Sequence, residues 1–186
     1  MKHLDLDNVK EDYDRPQAGG YVCKIKKVED VPIGSNAQRP ESGDYLKIDY
    51  DFAEGPFVDY YAGMCDHFGF WGGTFIRSYK PKALGMFKGF IKALEESNDG
   101  FKWNDDEKAL AGLKVGLVLG SEEYRGNDGA VKTRLRVARV LPVEKIHEGE
   151  FEIPPLKKLE ESNTSNAVVD TTKQESFEAV KDDVPF

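Results

Sequence analysis

The chain has 186 residues and a formal net charge of −8, with 39% hydrophobic and 32% charged residues. This length fits one domain with appendages, and no apolar run approaches the roughly 18 residues that a membrane-spanning helix needs. Acidic residues stand in the first 14 positions, where an export signal would be basic and then apolar, so we expect a cytoplasmic protein without a membrane partner.

The acidic excess lies at the two ends of the chain. Residues 159–186 hold seven acidic residues against two basic ones, and residues 1–14 hold five against two, which leaves the residues between them neutral overall. Residues 159–186 are also rich in small and polar residues and cannot bury enough apolar surface to offset their ordering entropy. We therefore predict an N-terminal arm at 1–18, a folded domain at 19–158 and a disordered acidic tail at 159–186.

Three β-strands are predicted in the first half of the folded domain. Residues 21–28 alternate imperfectly between apolar and polar side chains after a glycine-rich turn. Residues 44–52 alternate strictly, with Leu46, Ile48 and Phe52 on the apolar face. Residues 57–64 are predicted as the third strand, entered through a turn that contains Gly-Pro.

A helix and two further strands follow. Pro81 suits a first helical turn, and Leu84, Phe87, Ile91 and Leu94 recur at spacings of three and four residues. The segments 114–124 and 131–141 are then predicted as two strands joined by a loop rich in Gly, Asn and Asp.

This order of elements is that of the OB-fold, a five-stranded Greek-key barrel that often binds oligonucleotides. The sequence therefore predicts a mainly β protein with an OB-fold-like five-stranded barrel and one helix between strands 3 and 4. Other small barrels have the same number of strands.

Candidate catalytic and metal-binding groups are weak. Cys65, Asp66 and His67 form a contiguous triplet whose alternate side chains would leave a strand on opposite faces. A turn or strand end explains it better than a catalytic or metal site, since catalytic Cys-His pairs are usually distant in sequence. The acidic run at 104–107 fits the capped start of a helix. Cys23 and Cys65 are far apart and lack metal-ligand spacing, so we expect reduced thiols. We predict no enzyme activity, no cofactor and no metal.

Residues 67–82 combine aromatic rings with basic side chains between glycines. A protein that binds single-stranded nucleic acid without sequence preference needs flat side chains for the bases and cations for the phosphates. We expect Phe70, Trp71 and Tyr79 to be exposed in a loop, and Phe68 and Phe75 to lie in the core.

Basic side chains also alternate along the predicted strands. On the last strand three cations project from one face, for which an ordinary solvated face is the alternative explanation. Together with the aromatic segment they predict a basic, aromatic groove. The predicted nucleic-acid-binding residues are Lys24, Lys26, Tyr45, Lys47, Phe70, Trp71, Arg77, Tyr79, Lys80, Lys132, Arg134 and Arg136.

The chain ends in KDDVPF, which resembles the C-terminal tip of bacterial and phage single-stranded DNA-binding proteins. In that family an OB-fold binds the strand, and the tip docks on replication, recombination and repair proteins. The resemblance implies that Phe186 fills an apolar pocket of the partner and that Pro185 limits the entropy lost on docking. It also implies that Asp182 and Asp183 pair with cations of the partner, and Val184 completes this partner-binding tip.

The folded domain resembles a narrower family from phages and integrative elements of Gram-positive bacteria, whose members are proposed to bind single-stranded DNA. The stretches that carry the resemblance are GGYVCKIKKVED, GDYLKIDYDFAEG, FGFWGGTFIRSYK and EEYRGNDGAVKTRLRVARV, and it covers about residues 1–158.

Both resemblances imply a sequence-independent single-stranded DNA-binding protein that coats DNA during replication or recombination of a mobile element and recruits partner proteins through its tip. The alternative is a protein-interaction module or DNA-mimic inhibitor that acts on host DNA-processing enzymes. Self-association into a homo-oligomer is left open.

Overall fold

The computed structural model of the chain describes residues 14–35 and 41–159 and is mainly β. Part of the predicted arm, residues 36–40 and the predicted tail from residue 160 onward, including the tip, lie outside the described residues. The strands are β1 (Gly19–Val31), β2 (Tyr45–Phe52), β3 (Thr74–Ser78), β4 (Lys114–Arg125) and β5 (Val131–Leu141). The helices are α1 (Tyr60–Phe68), α2 (Leu84–Ser97) and α3 (Val143–His147), with 3₁₀ turns at Pro81–Ala83 and Glu107–Leu110.

The five strands form one antiparallel sheet in the order β3-β2-β1-β4-β5. Within the described part of the chain β3 and β5 are the two edges and do not pair with each other, so the sheet is open. The predicted strands at 21–28, 44–52, 114–124 and 131–141 are confirmed, with ends that differ by a few residues at most. The predicted helix between the third and fourth strands is α2.

The predicted third strand at 57–64 is wrong. Most of this segment belongs to α1, and the third strand of the sheet is β3, which begins ten residues later than the predicted strand ends. The burial in this segment is uneven, since Val58 is 50% exposed while Tyr61 is buried. Half-buried Met64 lies three residues after Tyr61, so one face of a short helix packs on the core.

A buried carboxylate explains why a helix begins at this point. Asp51 is 1% exposed, and its side chain accepts hydrogen bonds from the backbone N–H groups of Tyr61 at 2.9 Å and Ala62 at 2.8 Å. It also accepts the N–H of Phe52 at 2.9 Å. The free N–H groups of the first turn of α1 are therefore satisfied from β2, while the residue at the N-cap, Asp59, makes no side-chain cap.

The core lies between the inner face of the sheet and α2. A β-bulge between Ile25 and Lys27 shifts the register of β1 on β2, so that both Ile25 and Val28 pack into the core. On α2 the buried residues are Phe90, Ile91, Ala93 and Leu94.

The predicted apolar residues agree with this core in part. Phe75 is buried, as predicted, whereas Phe68 is 62% exposed and its predicted place in the core is wrong. Phe68 is the last residue of α1, and the chain turns away at Gly69, whose φ is +74°. Leu84 of the predicted apolar stripe is 48% exposed at the start of α2.

The chain after β5 covers the outer face of β1 and β4. Glycines allow this close approach: a Cβ atom at Gly20 would lie 2.4 Å from the Phe151 ring, and one at Gly120 would lie 2.6 Å from Pro154. The covering segment then pairs with β4, since the N–H of Lys157 donates to the carbonyl of Ser121 at 2.9 Å. Among the helices described, none is long and apolar enough to cross a membrane.

We expect Asp51→Ala to destabilise the fold by about 3 kcal/mol, because three buried N–H groups lose their acceptor. This corresponds to a loss of roughly 6–12 °C in Tm for a chain of this size, measured by circular dichroism. Asp49→Ala on the same strand is the matched control, since Asp49 accepts one hydroxyl, that of Thr74. Equal losses for the two variants would contradict the role of Asp51.

The two thiols should differ in reactivity. Cys23 is completely buried, and burial, followed by the nearby Asp51 carboxylate, raises the pKa of its thiol, whereas Cys65 is half-buried. We therefore expect one fast-reacting thiol with Ellman's reagent in the native protein and a second only after unfolding. Cys65→Ser should abolish the fast phase, and a fast phase that survives in this variant would place Cys23 at the surface.

Candidate functional site

A groove of about 1580 Å³ lies between β3 and β5, the two edges of the sheet. One wall is formed by residues 74–77 and the other by residues 133–137. Met64 of α1 and Trp71 also line the groove, together with residues 15–18, 121–124 and 157–159. Two unpaired strand edges therefore face a common space, with side chains from both the inner and the outer face of the sheet around it.

The groove is strongly basic, although the chain as a whole is acidic. Of the described residues, seven basic and two acidic ones line it, in a chain with a net charge of −8. The basic ones are Arg15, Lys47, Arg77, Arg134, Arg136, Lys157 and Lys158, and the acidic ones are Glu122 and Glu123. Such a concentration of one sign of charge attracts an anionic ligand.

Three of these cations gather around one carboxylate. Glu122 accepts a hydrogen bond from Arg134 Nε at 2.8 Å, and Arg136 Nε lies 3.3 Å from its other oxygen. Lys157 Nζ lies 3.9 Å from the same oxygen as Arg136. Glu122 therefore holds two guanidinium groups in place without neutralising them fully, and both arginines line the groove.

The buried cation Arg77 is in a different position. Its residue exposure is 8%, and its guanidinium lies over the ring of Phe75, with 4.8 Å between the guanidinium carbon and the ring centroid. Its Nη1 donates to the carbonyl of Ile76 at 2.9 Å, and its Nε has no hydrogen-bond partner among residues 14–35 and 41–159. Burial lowers the pKa of Arg77 to about 10, so the group stays protonated at neutral pH.

Aromatic side chains lie beside these cations. Phe70 is 53% exposed and lines the groove, and its ring lies 6.2 Å from that of Phe68. Trp71 is half-buried and is fixed at both ends of its ring system, because it packs on Tyr61 at 6.3 Å and donates its indole N–H to the carbonyl of Gly73 at 2.9 Å. The site thus offers one accessible ring and one immobilised indole to a flat ligand.

The structure brings together half of the predicted binding residues. Those that line the groove are Lys47, Phe70, Trp71, Arg77, Arg134 and Arg136. Those that lie outside it are Lys24, Lys26, Tyr45, Tyr79, Lys80 and Lys132. Two of the outer ones have acidic partners, since Lys26 pairs with Asp59 at 3.3 Å and Lys132 with Asp128 at 2.8 Å.

The sequence reasoning missed three basic residues of the lining, Arg15, Lys157 and Lys158. Arg15 precedes the first strand, and the two lysines belong to the segment that returns along β4. The two adjacent lysines that follow Pro154 and Pro155 could have indicated a basic site from the sequence. Their position at the groove, however, depends on the close contacts of the chain at Gly20 and Gly120.

Tyr79 lies in a second, smaller pocket of about 270 Å³, which it shares with Phe87 and Trp103. Its hydroxyl hydrogen-bonds the carboxylate of Asp30, and burial together with this carboxylate raises the pKa of Tyr79. Asp105 and Glu107 also line this pocket. Its charge is therefore opposite to that of the groove, and it is a poor site for a phosphate.

No protein-family model matches the sequence, and no curated protein matches it. The chemistry of the groove is therefore the basis on which we infer a function.

The two tryptophans of the chain should report the opposite charges of the two pockets. We expect iodide, an anion, to quench Trp71 in the groove more than Trp103, and caesium to do the reverse, because local potential concentrates counter-ions. Trp103→Phe and Trp71→Phe isolate the two fluorophores, measured at low and constant ionic strength. The ratio of iodide quenching to caesium quenching should be at least about twofold higher for Trp71 than for Trp103. Equal ratios would mean that the basic groove is masked in solution.

Proposed function

We propose that this protein binds single-stranded DNA without sequence preference, in the groove between β3 and β5. It coats DNA during replication or recombination of a mobile element and recruits partner proteins through its C-terminal tip. The observation that carries this proposal is the concentration of seven basic against two acidic residues around a groove that also presents Phe70 and Trp71. Such binding requires cations that bind the phosphates and, beside them, aromatic rings on which the bases stack.

We further propose that the fold is an OB-fold whose barrel is open between β3 and β5. Three features support this: β1 is central and pairs with β2 and β4, the sheet order is β3-β2-β1-β4-β5, and α2 connects β3 to β4. An OB barrel needs only a β3–β5 contact beyond these pairings, and OB barrels are often only partly closed. The groove occupies the position of the missing contact.

The exposed ring favours a single strand over a duplex. A base can stack on Phe70 only if one of its faces is free, and in a duplex both faces are already covered by neighbouring base pairs. The sign of the charge also favours a nucleic-acid binder over a DNA mimic. A mimic requires acidic side chains along a folded surface, whereas the described groove is basic.

The proposed role of the tip is supported by its sequence alone, since residues 181–186 lie outside the described residues. The last described residues, Lys158 and Leu159, line the groove. The acidic tail therefore begins at the edge of the proposed DNA site, and 21 residues, 160–180, lie between Leu159 and the tip. Such a length is enough for a partner to bind the tip while DNA occupies the groove.

Fluorescence anisotropy of a labelled dT oligonucleotide, titrated with the full chain at two salt concentrations, tests the proposal. We expect salt-sensitive binding that is weak on a duplex of the same length. Phe70→Ala should weaken binding about fivefold or more, since stacking of one base contributes roughly 1–3 kcal/mol.

Tyr45→Ala is the matched control, because Tyr45 is a predicted binding residue that lies outside the groove. It should leave the affinity within about twofold of that of the unchanged protein. No binding of the single strand, or equal losses for Phe70→Ala and Tyr45→Ala, would contradict the proposed site.

A further inference from the structure

We infer that Arg77 binds a backbone phosphate at the inner wall of the groove, so that the strand enters the gap between β3 and β5. This inference rests on the proposed function and defines the path of the DNA. The alternative path runs across the outer faces of β2 and β3, the face on which OB-folds often bind oligonucleotides.

The register of β3 on β2 places Arg77 on the inner side. Arg77 is opposite Leu46, which is 4% exposed in the core, whereas its neighbour Ile76 is opposite the exposed Lys47. Because successive side chains of a strand point to opposite faces, Arg77 and Lys47 approach the groove from opposite sides of the sheet. A strand bound by Arg77 therefore lies between the two sheet edges.

The hydrogen bonding of Arg77 is incomplete without a ligand. A guanidinium has five N–H donors, and the described chain supplies one carbonyl to Nη1 and no partner to Nε. No carboxylate in the part of the chain that is described lies within ion-pair distance of it, in contrast to Arg136, which lies beside Glu122. A buried cation without a counter-charge is unfavourable by itself, and an anion that enters the groove would remove this penalty.

The geometry of Arg77 favours a phosphate over a base as this ligand. One flat face of the guanidinium is occupied by the ring of Phe75, at 4.8 Å, and one edge donor, on Nη1, is used by the carbonyl of Ile76, which leaves the buried Nε as an edge donor without a described partner. Edge-on donors form a fork that matches two oxygens of one phosphate. Every nucleotide has this group, so the contact is compatible with binding that ignores sequence.

The test compares two oligonucleotides of equal length, one of dT and one of abasic sugar-phosphate units, by anisotropy with the full chain. We expect Arg77→Gln to lower the affinity for both oligonucleotides by the same factor, about tenfold or more. It should also reduce the slope of log affinity against log salt by about 0.7, the value for one lost phosphate contact on a single strand. Phe70→Ala should lower the affinity for the dT strand and leave the affinity for the abasic strand unchanged.

Arg139→Gln is the matched control for charge, because Arg139 is exposed on β5 and does not line the groove. It should change both affinities by less than about twofold. Equal effects of Arg77→Gln and Arg139→Gln would overturn the inference and leave only a general effect of net charge.

A stability measurement separates this binding role from a structural one. Arg77→Met replaces the buried cation with an apolar chain of similar length, and we expect its Tm to be unchanged or higher while both oligonucleotides bind more weakly. A lower Tm would make Arg77 a structural residue and overturn the inference.

The two proposals fail in different ways. If the unchanged protein binds dT, and Arg77→Gln and Arg77→Met bind the abasic strand as well as it does, the path through the gap is wrong and the proposed function stands. If the unchanged protein binds neither oligonucleotide, both are wrong.

Discussion

The geometry of the groove depends on the buried carboxylate of Asp51. By accepting the N–H of Tyr61 it fixes the start of α1, and the ring of Tyr61 then packs against Gly73, where a Cβ atom would lie 2.3 Å from it. The carbonyl of Gly73 accepts both the N–H of Tyr50 at 2.8 Å and the indole of Trp71. One charge inside the protein therefore holds the helix, the connection to β3 and an aromatic wall of the site in a single network.

The open sheet and its charge are connected. An exposed strand edge offers unpaired backbone groups to other chains, and charged side chains at the edge discourage such pairing. Here the cations of β5 are held beside Glu122, and the chain that returns along β4 adds Lys157 to the same cluster. The arrangement that protects the edge from other proteins is also one that attracts a polyanion.

Local hydrophobic periodicity was sufficient to predict most of the strands and helices. It was insufficient where a residue distant in sequence determines the secondary structure of a segment. β2 could be predicted because its hydrophobic period matches its burial. In β5 and α2 the match is partial, since Val131 and Leu84 are exposed. The segment at 57–64 could not, since the acceptor for its helical N–H groups is Asp51, which the alternation of β2 assigned to a solvated face. In the candidate site, Phe70 and Arg77 were identifiable from residue type, whereas the acidic surroundings of Tyr79 arise from Asp30 and Glu107, which are distant in sequence.

Two buried charges in this protein show how to distinguish structural from functional polar groups. Asp51 has three backbone donors, so its hydrogen bonds stabilise the fold, and at 1% exposure it is not accessible to a ligand. Arg77 is buried almost as deeply but has an unpartnered Nε and no described counter-charge. A group that is satisfied within the chain requires no further explanation, whereas a group that costs stability in the free protein points to what binds there. We therefore propose that an anionic chain is recognised at the inner wall of the groove rather than at the outer face of the sheet.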